Sequence, residues 1–147
     1  MVIIYCAFSE KLEKISFLME DYIISGIKIT PMCETDTSLA LLVTRNGLGE
    51  APAELQQILV KNYFSLLVNE EETPDFICFY GDGVKLTCIG SNIIGELKTL
   101  ESHGTKLIIC KTCLNYFNIA EQVAIGLVGT MHDILDIQLR AGKVINL

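Results

Sequence analysis

The stretch Lys106-Leu107-Ile108-Ile109-Cys110-Lys111-Thr112-Cys113 decides the fold of this chain. Its aliphatic run follows the turn-forming residues Ser102 to Thr105, so it predicts a buried strand that ends at Cys110. In a parallel α/β sheet, ligands bind and reactions take place at the carboxyl ends of the strands. A pair of thiols three residues apart therefore lies where such a fold places its chemistry.

Apolar segments alternate with segments of helical periodicity along the rest of the chain. Strands are expected at residues 2–7, 27–31, 39–44, 76–80, 106–110 and 143–147. Helices are expected at 9–25, after Pro52, from Ser91 or Asn92, and from Thr130. This order predicts an α/β protein with three layers, α/β/α, around a mostly parallel sheet, flavodoxin-like in outline. We expect an N-terminal strand-helix extension at residues 1–36 and one domain at 37–147.

The spacing of apolar residues also predicts which helix faces point inward and how two helices end or begin. Asn118 is expected to take the left-handed conformation after a short helix that follows Cys113. Thr130 and Asp133 form the pattern of a capping box. The inner face of the helix after Pro52 is assigned to Leu55, Ile58, Leu59, Tyr63, Leu66 and Leu67, and the last helix carries Met131, Ile134, Leu135 and Leu139.

Composition excludes several classes of function. The 147 residues carry a formal net charge of -7, which argues against nucleic-acid binding, because phosphate contacts need clustered Lys and Arg. No run approaches the ~18 apolar residues of a membrane helix, and there is no signal-peptide pattern, so we expect a cytoplasmic protein without membrane contact. An apolar content of 50% exceeds what one small domain needs and favours a homo-oligomer.

Six cysteines do not predict disulfides here, because cytoplasmic thiols stay reduced. Cys6, Cys78 and Cys88 lie in apolar segments and are expected to be small buried hydrophobes. Cys33 lies in a polar segment and has no predicted role. A single C-x-x-C without a second pair does not make a zinc site, and no phosphate-binding or dinucleotide-binding motif occurs, so neither a metal nor a cofactor is expected.

Four segments together resemble one protein family. They are residues 41–49, 79–86 and 110–116, and residues 129–134 taken with 143–147. The match covers about three quarters of the chain and resembles the DsrE/DsrF-like family. More narrowly it is similar to the C-terminal domain of YedF-type proteins, which are sulfurtransferase-like and linked to selenium metabolism. Lys111 departs from the Gly that such proteins often have, and the carrier motif Cys-Pro-x-Pro is missing from residues 1–36.

The resemblance implies a relay of sulfur, or of selenium, through a persulfide on Cys110, with Cys113 as a resolving thiol or as a packing residue. A thiolate is the nucleophile, and its pKa of ~8.5 falls near a helix N-terminus or a cation. The implied partner is a sulfur- or selenium-carrier protein or a small persulfide donor. The residues expected around the thiols as a substrate or anion pocket are Gly47, Gly49, Gly81, Gly83, Lys85 and Lys111.

Three other interpretations stand beside the relay. A non-catalytic oligomeric subunit or binding module of the same fold is the main alternative. A thioredoxin-like oxidoreductase is disfavoured, because Pro31, Pro52 and Pro74 all precede the C-x-x-C and that fold needs a later proline. Flavin binding rests on fold analogy alone. The relay requires Cys110 to be accessible, whereas a thiol buried under aliphatic neighbours leaves only the assembly role.

Overall fold

The structure is a computed structural model that describes residues 37–70 and 73–147. The strands and helix predicted for residues 2–31, and with them the whole N-terminal extension, lie outside the described residues. Cys6 and Cys33 lie outside them as well.

Strands and helices alternate through the described part of the chain. The strands are β1 Leu39–Val43, β2 Phe76–Phe79, β3 Lys106–Cys110, β4 Leu127–Gly129 and β5 Lys143–Asn146. The helices are α1 Ala53–Leu67, α2 Ile94–Ser102, α3 Lys111–Phe117 and α4 Met131–Arg140, and two 3-10 helices span Gly81–Thr87 and Ala120–Gln122. The predicted α/β fold is confirmed. Strand β4 has only three residues, too few to carry the alternation from which a strand is recognised in sequence.

The five strands form one parallel sheet in the order β4-β3-β2-β1-β5. The steps from β1 to β4 run in one direction across the sheet, and the step from β4 to β5 returns in the other. Because crossovers between parallel strands are right-handed, α1 and α2 lie on one face of the sheet and α4 lies on the opposite face. This arrangement gives the expected three layers.

The core is centred on the face of the sheet that α1 and α2 cover. Two rows of side chains run across this face, because partners in a parallel register point to the same side. Each row contributes aliphatic or aromatic groups with at most 1% exposure, and each such group stabilises the fold by about 1.5–3 kcal/mol. The rows are Leu41, Ile77 and Leu107, then Val43, Phe79 and Ile109.

The predicted inner faces of α1 and α4 are confirmed only in part: Ile134 is buried, and Tyr63 and Leu67 are partly buried against the core. The buried residues of α1 are Val60 and Phe64, and the only buried residue of α4 is Ile134. When a helix has apolar residues on more than one face, the helical period alone does not show which face is buried. The face that contacts the sheet becomes the buried one. Seven residues assigned to these helices are instead exposed: Leu55 45%, Ile58 56%, Leu59 36%, Leu66 67%, Met131 47%, Leu135 49% and Leu139 76%.

The signals at the helix ends are confirmed with one exception. Asn118 has a φ of 54°, the left-handed conformation predicted for it. The Thr130 hydroxyl accepts the amide of Asp133, whose carboxylate accepts the amide of Thr130, so the capping box is present. The prediction for α2 is wrong by one or two residues, since its N-cap is Ile93 rather than Ser91 or Asn92.

Candidate functional site

Cys110 lies where the sequence predicts it, at the carboxyl end of a central strand. It is the last residue of β3 and the N-cap of α3, and it pairs in register with Gly129 of β4. The expectation that this thiol is accessible is wrong, because Cys110 has 0% exposure. The side chain lies within the hydrophobic core cluster rather than at its rim.

Cys113 is the more accessible thiol of the pair. It lies in the first turn of α3 and is partly exposed. The backbone N–H of Gly81 donates to its Sγ at 3.1 Å. Burial raises the pKa of the Cys113 thiol, the Gly81 amide acts in the opposite direction, and the neighbouring Cys110 thiol raises it again. The structure therefore brings both thiols and one backbone donor together at one edge of the sheet.

Gly81 reaches Cys113 because two glycines let the 3-10 helix Gly81–Thr87 press against the end of β1. Gly81 has a φ of +59°, and a Cβ on it would lie 2.8 Å from the carbonyl oxygen of Thr44. A Cβ on Gly83 would lie 2.2 Å from the carbonyl oxygen of Val43. The amides of Tyr80 and Gly83 donate to the oxygens of Val43 at 3.1 Å and Thr44 at 3.3 Å.

The two lysines of the predicted pocket have different surroundings. Lys85 forms an ion pair with Asp82, and its ammonium lies 4.2 Å from the centre of the Phe117 ring. Its charge is therefore directed at a carboxylate and at the aromatic face of α3, and no contact with either thiol is seen. Lys111 is exposed and adjoins Cys110 in sequence, and it forms no ion pair with any residue in the described ranges.

Gly47 and Gly49 belong to the loop between β1 and α1. A Cβ on Gly47 would lie 2.6 Å from the Cβ of Gln56, so this glycine permits close packing on α1. Gly49 has a φ of +80° and no neighbour within 4 Å of its Cβ position. The structure shows no contact between these two glycines and the thiols.

A groove of about 580 Å³ lies between the start of α1 and the segment that follows the 3-10 helix Gly81–Thr87, and sequence reasoning missed it. Lys85 lines this groove as well as lying over Phe117. The residues that line the groove come from three separate segments of the chain, so no local sequence motif predicts it. They include Asn46, Gln57, Cys88, Asn92 and Gln122.

The remaining described cysteines are buried, as predicted. Cys78 is 0% exposed and Cys88 is 5% exposed. Burial raises the pKa of the Cys78 thiol to about 11 and also raises the pKa of Cys88. Neither therefore competes with the C-x-x-C pair as an exposed nucleophile.

Comparison with known proteins places this geometry in context. A sequence model described as the DsrE/DsrF-like family matches residues 61–147, more than half of the chain. The comparison with curated proteins gives no match. None of the helices at 37–70 and 73–147 is long and apolar enough to cross a bilayer.

Three solved structures share the fold. The ychN protein of E. coli has 18% identity and a TM-score of 0.54, over 75% of this chain and 99% of that one. The protein of unknown function MTH1491 from Methanobacterium thermoautotrophicum has 16% identity and a TM-score of 0.55, over 76% and 100%. The conserved protein of unknown function BT1422 from Bacteroides thetaiotaomicron has 19% identity and a TM-score of 0.53, over 76% and 95%.

Proposed function

This chain belongs to the DsrE/DsrF-like family, and from that premise we propose that it relays sulfur through a persulfide on the pair Cys110 and Cys113. The observation that carries the proposal is that both cysteines lie at the carboxyl end of β3, where the amide of Gly81 donates to the Cys113 sulfur at 3.1 Å. Parallel sheets commonly place their chemistry at this edge.

The relay step moves one sulfur atom without net oxidation. A thiolate of the pair attacks the outer sulfur of a donor persulfide, R–S–SH, and forms a new S–S bond. The S–S bond of the donor breaks, and the donor leaves as the thiolate R–S⁻. The protein then holds Cys–S–SH, and an acceptor thiolate repeats the same attack to take the sulfur away.

The donor or acceptor is proposed to be a sulfur-carrier protein or a small persulfide, in the cytoplasm, where thiols stay reduced. Tyr116 is 81% exposed on α3 beside the thiols, and exposed tyrosines are common at protein interfaces. The resemblance to YedF-type proteins extends the proposal to a selenium carrier, with selenium in place of the outer sulfur. The proposed pocket residues are Gly47, Gly49, Gly81, Gly83, Lys85 and Lys111.

One observation favours a second function, that of a non-catalytic oligomeric subunit or binding module. Cys110 is fully buried in the core, which is the outcome expected for the assembly role, so the relay is supported by the partly exposed Cys113 and not by the exposure of Cys110. In this second function both cysteines stabilise the turn into α3, and neither takes up a sulfur atom from a donor.

Exposed apolar side chains support the proposal that the protein forms a homo-oligomer. Met131, Leu135 and Leu139 lie four residues apart along α4 and form one exposed stripe. Leu127 and Val128 of β4 are 64% and 52% exposed, and β4 lies at an edge of the described sheet. Sedimentation velocity on the full chain tests this proposal, and a monomer at micromolar concentration would refute it. Leu135→Lys should weaken the association.

Intact-mass spectrometry tests the relay. The full chain is incubated with glutathione persulfide, and the wild type should gain the mass of one sulfur atom, which a thiol reductant then removes. The double variant Cys110→Ser/Cys113→Ser should gain none, whereas the control Cys88→Ala should behave as the wild type. A wild type that gains no sulfur would leave only the assembly role, and a double variant that gains sulfur at the same rate would place the site at another cysteine.

A further inference from the structure

We propose that Cys113, rather than Cys110, is the thiol that takes the sulfur atom from the donor. This inference rests on the proposed relay and assigns an order to its two thiols. Sequence position alone favours Cys110, because it ends the strand. The two thiols differ in exposure and in hydrogen bonding, and both differences favour Cys113.

The first argument is access. Attack on a persulfide requires the outer sulfur to approach the nucleophile to about 3–3.5 Å, with the leaving sulfur on the far side. Cys110 has 0% exposure, so a donor reaches its sulfur only after α3 or its neighbours move. Cys113 is partly exposed, so a donor reaches it with the fold intact.

The second argument is the backbone donor. The N–H of Gly81 lies 3.1 Å from the sulfur of Cys113, and an N–H directed at a sulfur favours the anionic form, which opposes the rise in the pKa of this thiol that burial causes. Such a donor acts on the thiolate that attacks and on the persulfide anion that results. No hydrogen bond from a backbone amide to the Cys110 sulfur is seen in the described part of the chain.

The position of this donor is set by packing that does not involve the thiols. Gly83 lies against the Val43 carbonyl, and its amide donates to the oxygen of Thr44 at 3.3 Å. The amide of Tyr80 donates to Val43 at 3.1 Å. The N–H of Gly81 is therefore held in place before any donor arrives, as preorganised stabilisation of charge requires.

The uptake step balances with Cys113 alone. The Cys113 thiolate bonds to the outer sulfur of R–S–SH, the S–S bond of the donor breaks, and R–S⁻ leaves with the bonding electrons. The product is Cys113–S–SH. Cys110 contributes no atom or electron to this step, so uptake should persist without its thiol.

Single substitutions test the assignment on the full chain, with glutathione persulfide as the donor and peptide mapping as the readout. Cys113→Ser should lower the initial rate of sulfur uptake by about tenfold or more, and by a larger factor than Cys110→Ser does. The modified peptide in the wild type should carry the extra sulfur on Cys113. Sulfur found on Cys110, with uptake lost in Cys110→Ser, would overturn the order of the thiols and leave the relay in place.

A second measurement needs no variant and no sulfur donor. Brief iodoacetamide treatment of the native wild type, followed by peptide mapping, should label Cys113 about tenfold faster than Cys110. Faster labelling of Cys110 overturns the inference whatever the fate of the relay. Faster labelling of Cys113 in a protein that takes up no sulfur would support its accessibility but overturn both the relay and the role assigned to it.

Discussion

The backbone N–H of Gly81 and the Sγ of Cys113 are 3.1 Å apart, so a segment that follows β2 contacts a thiol that follows β3. The two residues are 32 positions apart in the chain. Their contact depends on the parallel pairing of β2 with β3, which sets the carboxyl ends of the two strands side by side.

Gly83→Ala should destabilise the protein by about 1–3 kcal/mol, because the added Cβ would lie 2.2 Å from the Val43 carbonyl oxygen and must force the backbone apart. Urea unfolding followed by circular dichroism measures the change. Gly95→Ala is the matched control, since it lies in α2 with nothing within 4 Å of its Cβ position and should stabilise by up to about 1 kcal/mol. Equal stability of the two variants would contradict the close packing at Gly83.

Lys85 and Phe117 should be coupled energetically. The ammonium lies 4.2 Å from the ring centre, which predicts a coupling free energy of about 0.5–1 kcal/mol at this partly exposed site. A double-mutant cycle with Lys85→Met and Phe117→Leu measures it by urea unfolding. The pair Lys106 and Phe76, at 5.5 Å, provides a comparison that should give a smaller value. A coupling free energy of zero would contradict an energetic contact between Lys85 and Phe117 and would favour the role of Lys85 in the proposed pocket.

Stability should fall at alkaline pH because of Cys78. Burial raises its pKa to about 11 from the ordinary value of 9.0. The stability due to this neutral thiol is fully present below pH 9, where the unfolded thiol is also neutral, and is lost as the pH rises towards 11. Between pH 8 and pH 10.5 the wild type should lose about 2 kcal/mol more of its free energy of unfolding than Cys78→Ala does.

Urea unfolding of both proteins across this pH range measures the difference. Tyrosines and lysines titrate in both proteins, so their contributions to the free energy of unfolding cancel in the comparison. Parallel stability curves for the two proteins would show that the Cys78 thiol is not buried as described.

Glu96 should make stability depend on acid pH. Burial alone raises the pKa of its carboxyl, but hydrogen bonds from Lys61 at 2.5 Å and Ser65 at 3.1 Å outweigh burial, so the pKa is lowered. Stability from the ionised carboxylate is therefore present above its ordinary pKa of 4.5 and is lost as the pH falls below it. Glu96→Gln should be less stable by about 1–2 kcal/mol at pH 7.

The difference between this variant and the wild type should shrink as the pH falls below 4.5, because protonation of Glu96 removes the charge that Gln lacks. Ser65→Ala is the milder control. It removes one of the hydrogen-bond donors to Glu96, so it should lower the stability at pH 7 by less than Glu96→Gln does. A stability difference between wild type and Glu96→Gln that is unchanged from pH 7 to pH 3 would contradict the ion pair between α1 and α2.

Local signals were sufficient for much of the fold and for part of the site. The run that ends at Cys110, the capping box at Thr130 and the left-handed Asn118 depend on residues within a few positions of one another. Short-range sterics and hydrogen bonding decide such features, so each could be predicted without knowledge of the rest of the chain. The burial of Cys78 and Cys88 followed from their apolar neighbours in the same way.

The inner faces of α1 and α4 could not be predicted, because each helix carries more than one apolar stripe. Leu55 and Val60 of α1 are both apolar and both fit a helical period, yet one is 45% exposed and the other is 1% exposed. Only the position of the sheet distinguishes them. The groove beside Lys85 was missed for a related reason, since its walls come from segments far apart in sequence.

By itself the sequence determined an α/β protein with two thiols at the carboxyl end of a central strand, because periodicity and turn chemistry act over a few residues. The tertiary structure alone decided that Cys110 is buried, that Cys113 is the accessible thiol, and that the amide of Gly81 contacts it. Exposure and non-local hydrogen bonds depend on which strands become neighbours, and strand pairing joins residues that the linear order keeps apart.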